Sequence, residues 1–444
     1  MKEDSLTSQR YKKCGWGNPI YDQDGHYDEV GCGLTNEYSC GEGVCPLMAE
    51  LKIPDWLRYK RGINETSPVL FLDIRGQELS LDETGVRKRI NRNLRQMLSF
   101  FDLTAEEPAL IKCHIGEPKC NTRMRPEFIK SSLEFLREQG IDKIVSGDTT
   151  VVYKGDRGWH ENPAGDVRRY LHLAQAHGWH PFVALDRPET SIPGVFEFDE
   201  EEKVKRIDSA SRYPEFYISG GFEAAGTIIN HVHLTLHGLA HLALAVKGLT
   251  MGLSSRKGKL QMHQYLLPLI DEELCLRCGG CFRDCPQEAF VWAKGMIPWL
   301  VEKRCIGCGK CIDACQEGCI RMEGKEVLDW QRGEDSLPYR MADYLMGVMD
   351  GKWDRLINVA HLYSITPQCD CLDKAQKPII RDIGFLIGKN PFAVDYAARE
   401  LFERQAGTKV SSFCLQDKGY AAFDYARERF GVVVKPELVR TDYK

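Results

Sequence analysis

Long apolar runs are missing from this sequence, because no stretch approaches the roughly 18 consecutive apolar residues that a membrane-spanning helix needs. The start of the chain, Met1 to Ser5, lacks the apolar segment of a secretory signal peptide. Charge of one sign is not in excess either: 59 Lys+Arg against 64 Asp+Glu give a net charge of -5, which argues against a broad nucleic-acid surface. We therefore expect a cytoplasmic protein with no membrane span and no nucleic-acid partner.

Two common nucleotide-binding patterns are also missing. No G-x-G-x-x-G follows a predicted strand, and no Walker A lysine loop is present. The sequence therefore encodes no recognisable nucleotide site.

Cysteine, in contrast, is abundant, with 18 residues in a chain of 444. In a reducing compartment, such a number is better explained by metal ligation than by disulfides.

Eight of these cysteines form two copies of one motif. The spacing CxxCxxCxxxC begins at Cys275 and recurs thirty residues later at Cys305. In bacterial-type ferredoxins, the first three cysteines of each copy bind one cluster and the remote fourth binds the other. We therefore predict two 4Fe-4S clusters, with low-potential, oxygen-sensitive chemistry. The ligand sets are Cys275, Cys278, Cys281 and Cys315 for one cluster, and Cys305, Cys308, Cys311 and Cys285 for the other.

Alternatives to this interpretation are weaker. A zinc site needs four ligands and would leave half of these cysteines unused. Pro286 follows the first copy, whereas Gln316 stands where the second proline is usual, a change that removes no ligand. Cys319 lies just outside the pattern and is predicted to be a buried thiol. A hairpin, 289–293 with 297–301, is expected to join the two halves.

The rest of the chain predicts an α/β core interrupted by this ferredoxin module. Strand and helix patterns alternate from about residue 66, which indicates a mainly parallel sheet. The expected parts are a Cys-rich irregular arm (1–62), the first part of the core (63–268), the module (269–325) and the second part of the core (326–444). Within the core we expect a strand over 227–236, a helix over 238–246 and a basic, anion-binding loop over 252–259.

Histidines are concentrated in one region. Five of the chain's twelve fall within 33 residues, at His231, His233, His237, His241 and His263. His231 and His233 share one face of the predicted strand, and His237 and His241 would share one face of the predicted helix. A pocket with proton donors or a metal ion is expected, although each ring alone is explained as well by ordinary hydrogen bonding.

Three further cysteine groups have no standard spacing. Cys32, Cys40 and Cys45, with or without Cys14, are candidates for a third cluster or a zinc ion, or are free thiols. Cys369 and Cys371 flank Asp370 after a predicted strand and indicate a metal site, a redox site or an ordinary turn. The segment 113–121 also follows a strand, so the two loops are expected to share one cleft.

Several of these segments carry a resemblance to the iron-sulfur branch of the family called "domain of unknown function 362". The matching stretches are HIGEPKCNTRMRPE (114–127), SGDTT (146–150), HLTLH (233–237), AVKGLTMG (245–252), TPQCDC (366–371) and NPFAVD (390–395). The resemblance covers roughly residues 66 to 440. It implies that His233, His237 and Lys247 line one catalytic site beside the clusters. The chain differs from the family pattern at Thr235, where lysine is common, and at His241, where a small residue is common.

Three functions remain open from the sequence. The first is an oxidoreductase, in which electrons from the clusters reduce a small-molecule substrate or cofactor in the His/Lys/Cys pocket. In that case an imidazole, His237 above all, is expected to be the proton donor. Because a continuous helix would put Lys247 about 15 Å from His237, the lysine is expected in another part of the site unless the helix breaks at Gly248 and the chain folds back. The alternatives are a ferredoxin-like carrier that serves a redox partner, and a metal or cluster assembly factor.

Overall fold

The computed structural model describes residues 53–60, 65–75, 80–153, 155–158, 167–207, 212–263, 266–315, 317–324, 336–414 and 417–441. Most of the predicted N-terminal arm, including Cys14, Cys32, Cys40 and Cys45, lies outside the described residues, as does Gln316. No helix in the part of the chain that is described has the length and apolar character to cross a membrane.

The strands, in chain order, are β1 (Ser67–Asp73), β2 (Ala109–Lys112), β3 (Ile144–Asp148), β4 (Phe182–Ala184), β5 (Glu202–Lys205), β6 (Phe216–Ser219), β7 (Thr227–His233), β8 (Thr235–His237), β9 (His241–Ala243), β10 (Leu266–Ile270), β11 (Phe290–Val291), β12 (Trp299–Leu300), β13 (Ile320–Gly324), β14 (Leu356–Leu362), β15 (Gly384–Gly388) and β16 (Pro436–Thr441).

The α-helices are α1 (Thr84–Leu98), α2 (Lys130–Glu138), α3 (Arg168–Ala176), α4 (Gly220–Ala224), α5 (Ala245–Thr250), α6 (Arg256–His263), α7 (Gly280–Arg283), α8 (Lys310–Ala314), α9 (Leu337–Val348), α10 (Pro391–Ala406) and α11 (Ala421–Phe430).

An eight-stranded sheet organises the core, in the order β16-β1-β15-β14-β7-β2-β3-β4. Its pairs are parallel except where β15 runs antiparallel to both β1 and β14. Every residue of β7 and β14 is buried, as expected for central strands covered on both faces. The predicted α/β core with a mainly parallel sheet is therefore confirmed.

Local signals account for the boundaries of the helix that packs closest to β15. The Asn390 side chain accepts the N–H groups of Phe392 and Ala393, and Pro391 occupies the first turn of α10. Gly407 ends the helix with a left-handed φ of 68°.

The predicted helix over 238–246 is wrong. Residues 235–243 form the hairpin of β8 and β9, in which His237 pairs with His241, and the helix α5 starts only at Ala245. His237 and His241 therefore do not lie on one helical face. His241 has a left-handed φ of 60°, a conformation incompatible with a continuing helix.

The predicted basic loop over 252–259 is also wrong in part, because α6 begins at Arg256 within it. Lys259 accordingly extends from a helix, and its buried ammonium donates to Thr149 Oγ1 at 2.6 Å.

In the cysteine-rich segment, residues 266–324, similar turns and short helices recur at the thirty-residue offset of the cysteine motif. Its first and last strands, β10 and β13, pair antiparallel, and β11 pairs with β12 as the predicted hairpin. The short helices α7 and α8 follow left-handed glycines, Gly279 (φ 71°) and Gly309 (φ 74°). Glycine is suited to these turns because it has no Cβ to clash.

Candidate functional site

A buried cavity of about 130 Å³ opens where β2, β3, β7 and β14 end. Because neighbouring parallel strands end at the same sheet edge, their following loops converge here. The sequence-predicted residues His233, His237, Lys247, Cys369 and Cys371 all line it. Cys308 and Lys310 of the cysteine-rich segment line the same cavity.

The loop Cys369-Asp370-Cys371 forms one wall. Cys369 Sγ accepts from Lys247 Nζ at 3.3 Å and from the Cys371 N–H at 3.4 Å. Tyr153 and Lys310 both donate to the Cys371 carbonyl. The loop is therefore held from the core on one side and from the cysteine-rich segment on the other.

The two loops predicted to share one cleft do so. The Glu117 N–H donates to the Asp370 carbonyl at 3.1 Å, and the Cys120 thiol donates to Asp370 Oδ1 at 3.3 Å. His114 lines the cavity.

His233, at the end of β7, binds acceptors with both ring nitrogens. Nδ1 lies 2.6 Å from Asp370 Oδ2, and Nε2 lies 2.7 Å from the Tyr363 carbonyl oxygen. Since both partners are acceptors, both nitrogens must carry hydrogen and the ring is a cation. Burial opposes this charge, but the Asp370 carboxylate and these hydrogen bonds outweigh it and raise the pKa of His233.

His237 has the opposite arrangement. Its Nδ1 accepts the backbone N–H groups of Leu239 at 3.0 Å and Ala240 at 3.2 Å, within the β8–β9 turn. Burial, with Lys247 nearby, lowers the pKa of His237 to about 3. The ring is therefore neutral, with its proton on Nε2. The expectation of a proton donor whose pKa lies near neutrality is not met by this imidazole.

The continuous-helix argument predicted that Lys247 lies in a separate part of the site. The structure contradicts this prediction. The chain turns back through the hairpin, and α5 places Lys247 on the same sulfur that His237 approaches. Asp395 of α10 fixes the start of α5 by accepting the N–H groups of Ala245 and Val246.

Four lining cations were not assigned to this site from the sequence. They are Lys112, Arg157, Lys259 and Lys310. Arg157 Nη2 donates to Asp148 Oδ2 at 3.0 Å, and Lys112 Nζ lies 3.5 Å from Asp148 Oδ1. Lys112 and Asp148 end adjacent strands, so the strand-end rule could have found them. Arg157 lies in an irregular loop that carries no such signal.

The five clustered histidines separate into two groups. His233, His237 and His263 line the cavity. His231 instead bonds Ser132 Oγ and His361 inside the core, and His241 lies 3.6 Å from Asp417. Only part of the predicted histidine pocket is thus formed.

One group of side chains is close enough to hold a metal ion. A ring nitrogen of His237 and the sulfurs of Cys369 and Cys371 all lie within 4.8 Å of one another. Imidazole and thiolate suit a thiophilic transition metal. As placed, however, the lone pair of the neutral His237 ring is already taken by the two backbone N–H groups.

The eight motif cysteines gather as two sets. Cys275, Cys278, Cys281 and Cys315 line one cavity of about 180 Å³, together with Cys319. Burial, with Cys285 and Cys305 nearby, raises the pKa of Cys308 to about 11. Each fourth cysteine therefore lies with the other copy's first three, as the motif predicts.

These thiols fit iron-sulfur ligation. Neutral thiols crowded together gain little, whereas thiolates on a metal cluster use the whole set. Backbone N–H groups already donate to the sulfurs, from Arg277 to Cys275 and from Gly307 to Cys305, each at 3.4 Å. Cys319, predicted to be a buried thiol, is 5% exposed and lies 3.2 Å from the Cys315 sulfur.

Comparison with protein families matches residues 109–400 to DUF362, a domain of unknown function. The chain belongs to the DUF362 family. The match covers the sheet strands β2 to β15, the cavity and the cysteine-rich segment. Comparisons with curated proteins and with solved structures gave no match.

Proposed function

We propose that this DUF362 chain is a low-potential iron-sulfur oxidoreductase of the family's iron-sulfur branch. In this proposal the cysteine-rich segment is an inserted bacterial-type ferredoxin module. Cys275, Cys278, Cys281 and Cys315 would hold one 4Fe-4S cluster, and Cys305, Cys308, Cys311 and Cys285 the other. When bound, such clusters supply one-electron transfer.

One observation carries the proposal. Cys308, a ligand in the second set, lines the same cavity as His237, Lys247, Cys369 and Cys371. A pure carrier needs its clusters near the surface and has no use for a cavity lined by lysine and cysteine side chains beside one of them. Because Cys308 lines the same cavity as these residues, we favour a substrate that receives electrons in this cavity over delivery of electrons to a partner protein.

The residues of this chain would bind and orient that substrate. Lys247 and Lys310 provide positive charge, His237 presents an N–H, and His233 positions the cysteine loop through Asp370. A small molecule is expected, because the cavity volume is about 130 Å³.

The test compares two kinds of electron acceptor under anaerobic conditions, with reduced methyl viologen as donor. The small acceptors are nitrite, sulfite and dithiodipropionate, and the large one is cytochrome c, which cannot enter the cavity. We expect turnover of a small acceptor that is lost in His237→Ala and kept in His180→Ala, a control at an exposed histidine. The cluster EPR signals should remain in both variants.

If cytochrome c alone is reduced, and if His237→Ala changes nothing, the carrier function replaces the oxidoreductase. If His237→Ala loses its iron, the histidine is structural and the proposed role of the cavity fails.

A further inference from the structure

Hydrogen-bond donors converge on the sulfur of Cys369. The Lys247 ammonium lies 3.3 Å from it and the backbone nitrogen of Cys371 3.4 Å from it. The residue is 3% exposed, so water contributes little to its solvation. The buried Lys247 ammonium donates a hydrogen bond to this sulfur, and it is stabilised when the sulfur is an anion. The environment is that of a reactive thiolate.

The second sulfur differs from the first. The Cys371 thiol donates to Cys369, and this hydrogen bond, together with burial, raises the pKa of Cys371. The same bond and the Lys247 ammonium lower the pKa of Cys369 despite its burial. One thiolate and one thiol, two residues apart, are the two components of a redox dithiol.

The protonation of His237 favours thiol chemistry over metal binding. Because its Nδ1 lone pair accepts two backbone N–H groups, the neutral ring has its proton on Nε2. A metal at Nε2 would require the ring to lose that last proton.

We propose that Cys369 and Cys371 form a redox-active dithiol that reduces small anionic disulfides. The Cys369 thiolate attacks one sulfur of the substrate, the substrate S–S bond breaks, and one substrate thiolate leaves. The proton of Cys371 passes to that thiolate. The Cys371 sulfur then attacks Cys369 Sγ, the mixed disulfide breaks, and the second substrate thiolate leaves.

Two electrons have then moved from the dithiol to the substrate, and a Cys369–Cys371 disulfide remains. Restoring the thiolate–thiol pair takes two electrons and one proton. Only this return of electrons rests on the proposed iron-sulfur function. The first half-reaction depends on the thiols alone, so the two proposals can fail separately.

The charge of the cavity determines the substrate class. Among the described residues, its lining includes the cations Lys112, Arg157, Lys247, Lys259 and Lys310, against the carboxylates of Asp148 and Asp370 and the Cys369 thiolate. A net positive wall raises the local concentration of anions and disfavours cations. A disulfide whose arms carry carboxylates is therefore expected to react fastest.

The experiment uses the anaerobically purified, cluster-loaded full chain, and three disulfides of similar length. Dithiodipropionate has two negative charges, hydroxyethyl disulfide has none and cystamine has two positive charges. Peptide mass spectrometry follows the bond between Cys369 and Cys371, and iron analysis confirms that the clusters stay intact. We expect the bond to form in all three cases, with the anionic probe faster than the cationic one by roughly tenfold or more.

Two variants make the assignment specific. Cys371→Ser should stop the reaction at a mixed disulfide on Cys369, whereas Cys113→Ser, at a buried thiol outside the cavity lining, should react as the native chain does. Absence of the Cys369–Cys371 bond overturns the proposal, as does a metal ion held by these two cysteines in the purified protein. Equal rates for the three probes overturn the substrate class. Reduction of the clusters by dithionite, measured separately, tests the iron-sulfur function.

Discussion

At the residue scale, the arrangement around Cys369 makes a pH-dependent prediction. Because the pKa of Cys369 is lowered, the sulfur stays a thiolate as the pH falls through the usual thiol range. Its alkylation by iodoacetamide should therefore slow less between about pH 9 and about pH 6 than that of an ordinary thiol, which slows about tenfold per unit below its pKa of about 8.5. Lys247→Met should restore that slowing, and Lys259→Met, at another buried lysine of the cavity, should not. The measurement is the rate of labelling of the Cys369 peptide; a steep decline in the native chain would contradict the assignment.

The His233–Asp370 pair predicts a large stability effect. Asp370→Asn leaves a buried imidazolium without its carboxylate, and breaking such a pair costs about 3 to 5 kcal/mol. Urea unfolding should show this loss. Asp373→Asn, in the same loop but exposed and paired with Lys119, should cost at most about 1 kcal/mol. Similar losses in the two variants would mean that the buried pair is not charged.

The sign of the pH dependence follows from the raised pKa of His233. Its contribution to folding is fully present below the unfolded pKa of about 6.5, and is lost as the pH rises through the folded value. The difference in unfolding free energy between the native chain and Asp370→Asn should therefore shrink at high pH.

Sequence reasoning found the site residues more readily than their roles. Residue type, strand ends and the family resemblance selected His233, His237, Lys247, Cys369 and Cys371. The roles depend on hydrogen-bond partners far away in sequence, such as Asp370 for His233, 137 residues on. Such partners determine which ring is charged, and no local pattern contains that information.

At the element scale, the cysteine motif predicts that the fourth cysteine of each copy binds the cluster of the other copy. Cys285→Ser should remove the cluster assigned to Cys305, Cys308 and Cys311, because Cys285 lies with those thiols. Its EPR spectrum should therefore match that of Cys308→Ser and differ from that of Cys278→Ser. Cys319→Ser should keep both signals. A match between Cys285→Ser and Cys278→Ser would reverse the assignment.

The start of α5 gives a second prediction at this scale. Burial raises the pKa of Asp395 to about 7, even though its carboxylate accepts two N–H groups of the helix. Because this value exceeds the unfolded pKa of about 3.9, stability should decrease as pH rises between these values, by up to about 1.4 kcal/mol per unit. Asp395→Asn should remove that part of the pH dependence. Unfolding curves at several pH values measure it, and parallel profiles for the two proteins would contradict it.

The mispredicted helix over 238–246 has a specific physical cause. Leucine and alanine dominate this stretch and favour a helix locally. The chain instead forms a hairpin whose turn is held by His237 Nδ1, and Asp395, 150 residues away, fixes the later helix start. By contrast, Asn390, Pro391 and Gly407 are local signals that delimit the helix α10.

At the scale of the whole molecule, the cavity depends on contacts between the core and the cysteine-rich segment. His263 Nδ1 lies 3.0 Å from the Gly307 carbonyl oxygen, and Lys310 reaches the Cys371 carbonyl. The sequence predicted the sheet and the repeated motif separately. The family resemblance alone implied that the site lies beside the clusters; the residue patterns did not, because the contact depends on irregular loops such as the one that carries Arg157.

The central claim, that this chain holds two clusters which supply electrons to the cavity, is tested most directly by iron and sulfide analysis with a reductive titration of the anaerobically purified protein. We expect about eight iron and eight sulfide per chain, and two one-electron reductions at low potential. About four iron, or zinc in place of iron, would contradict the account.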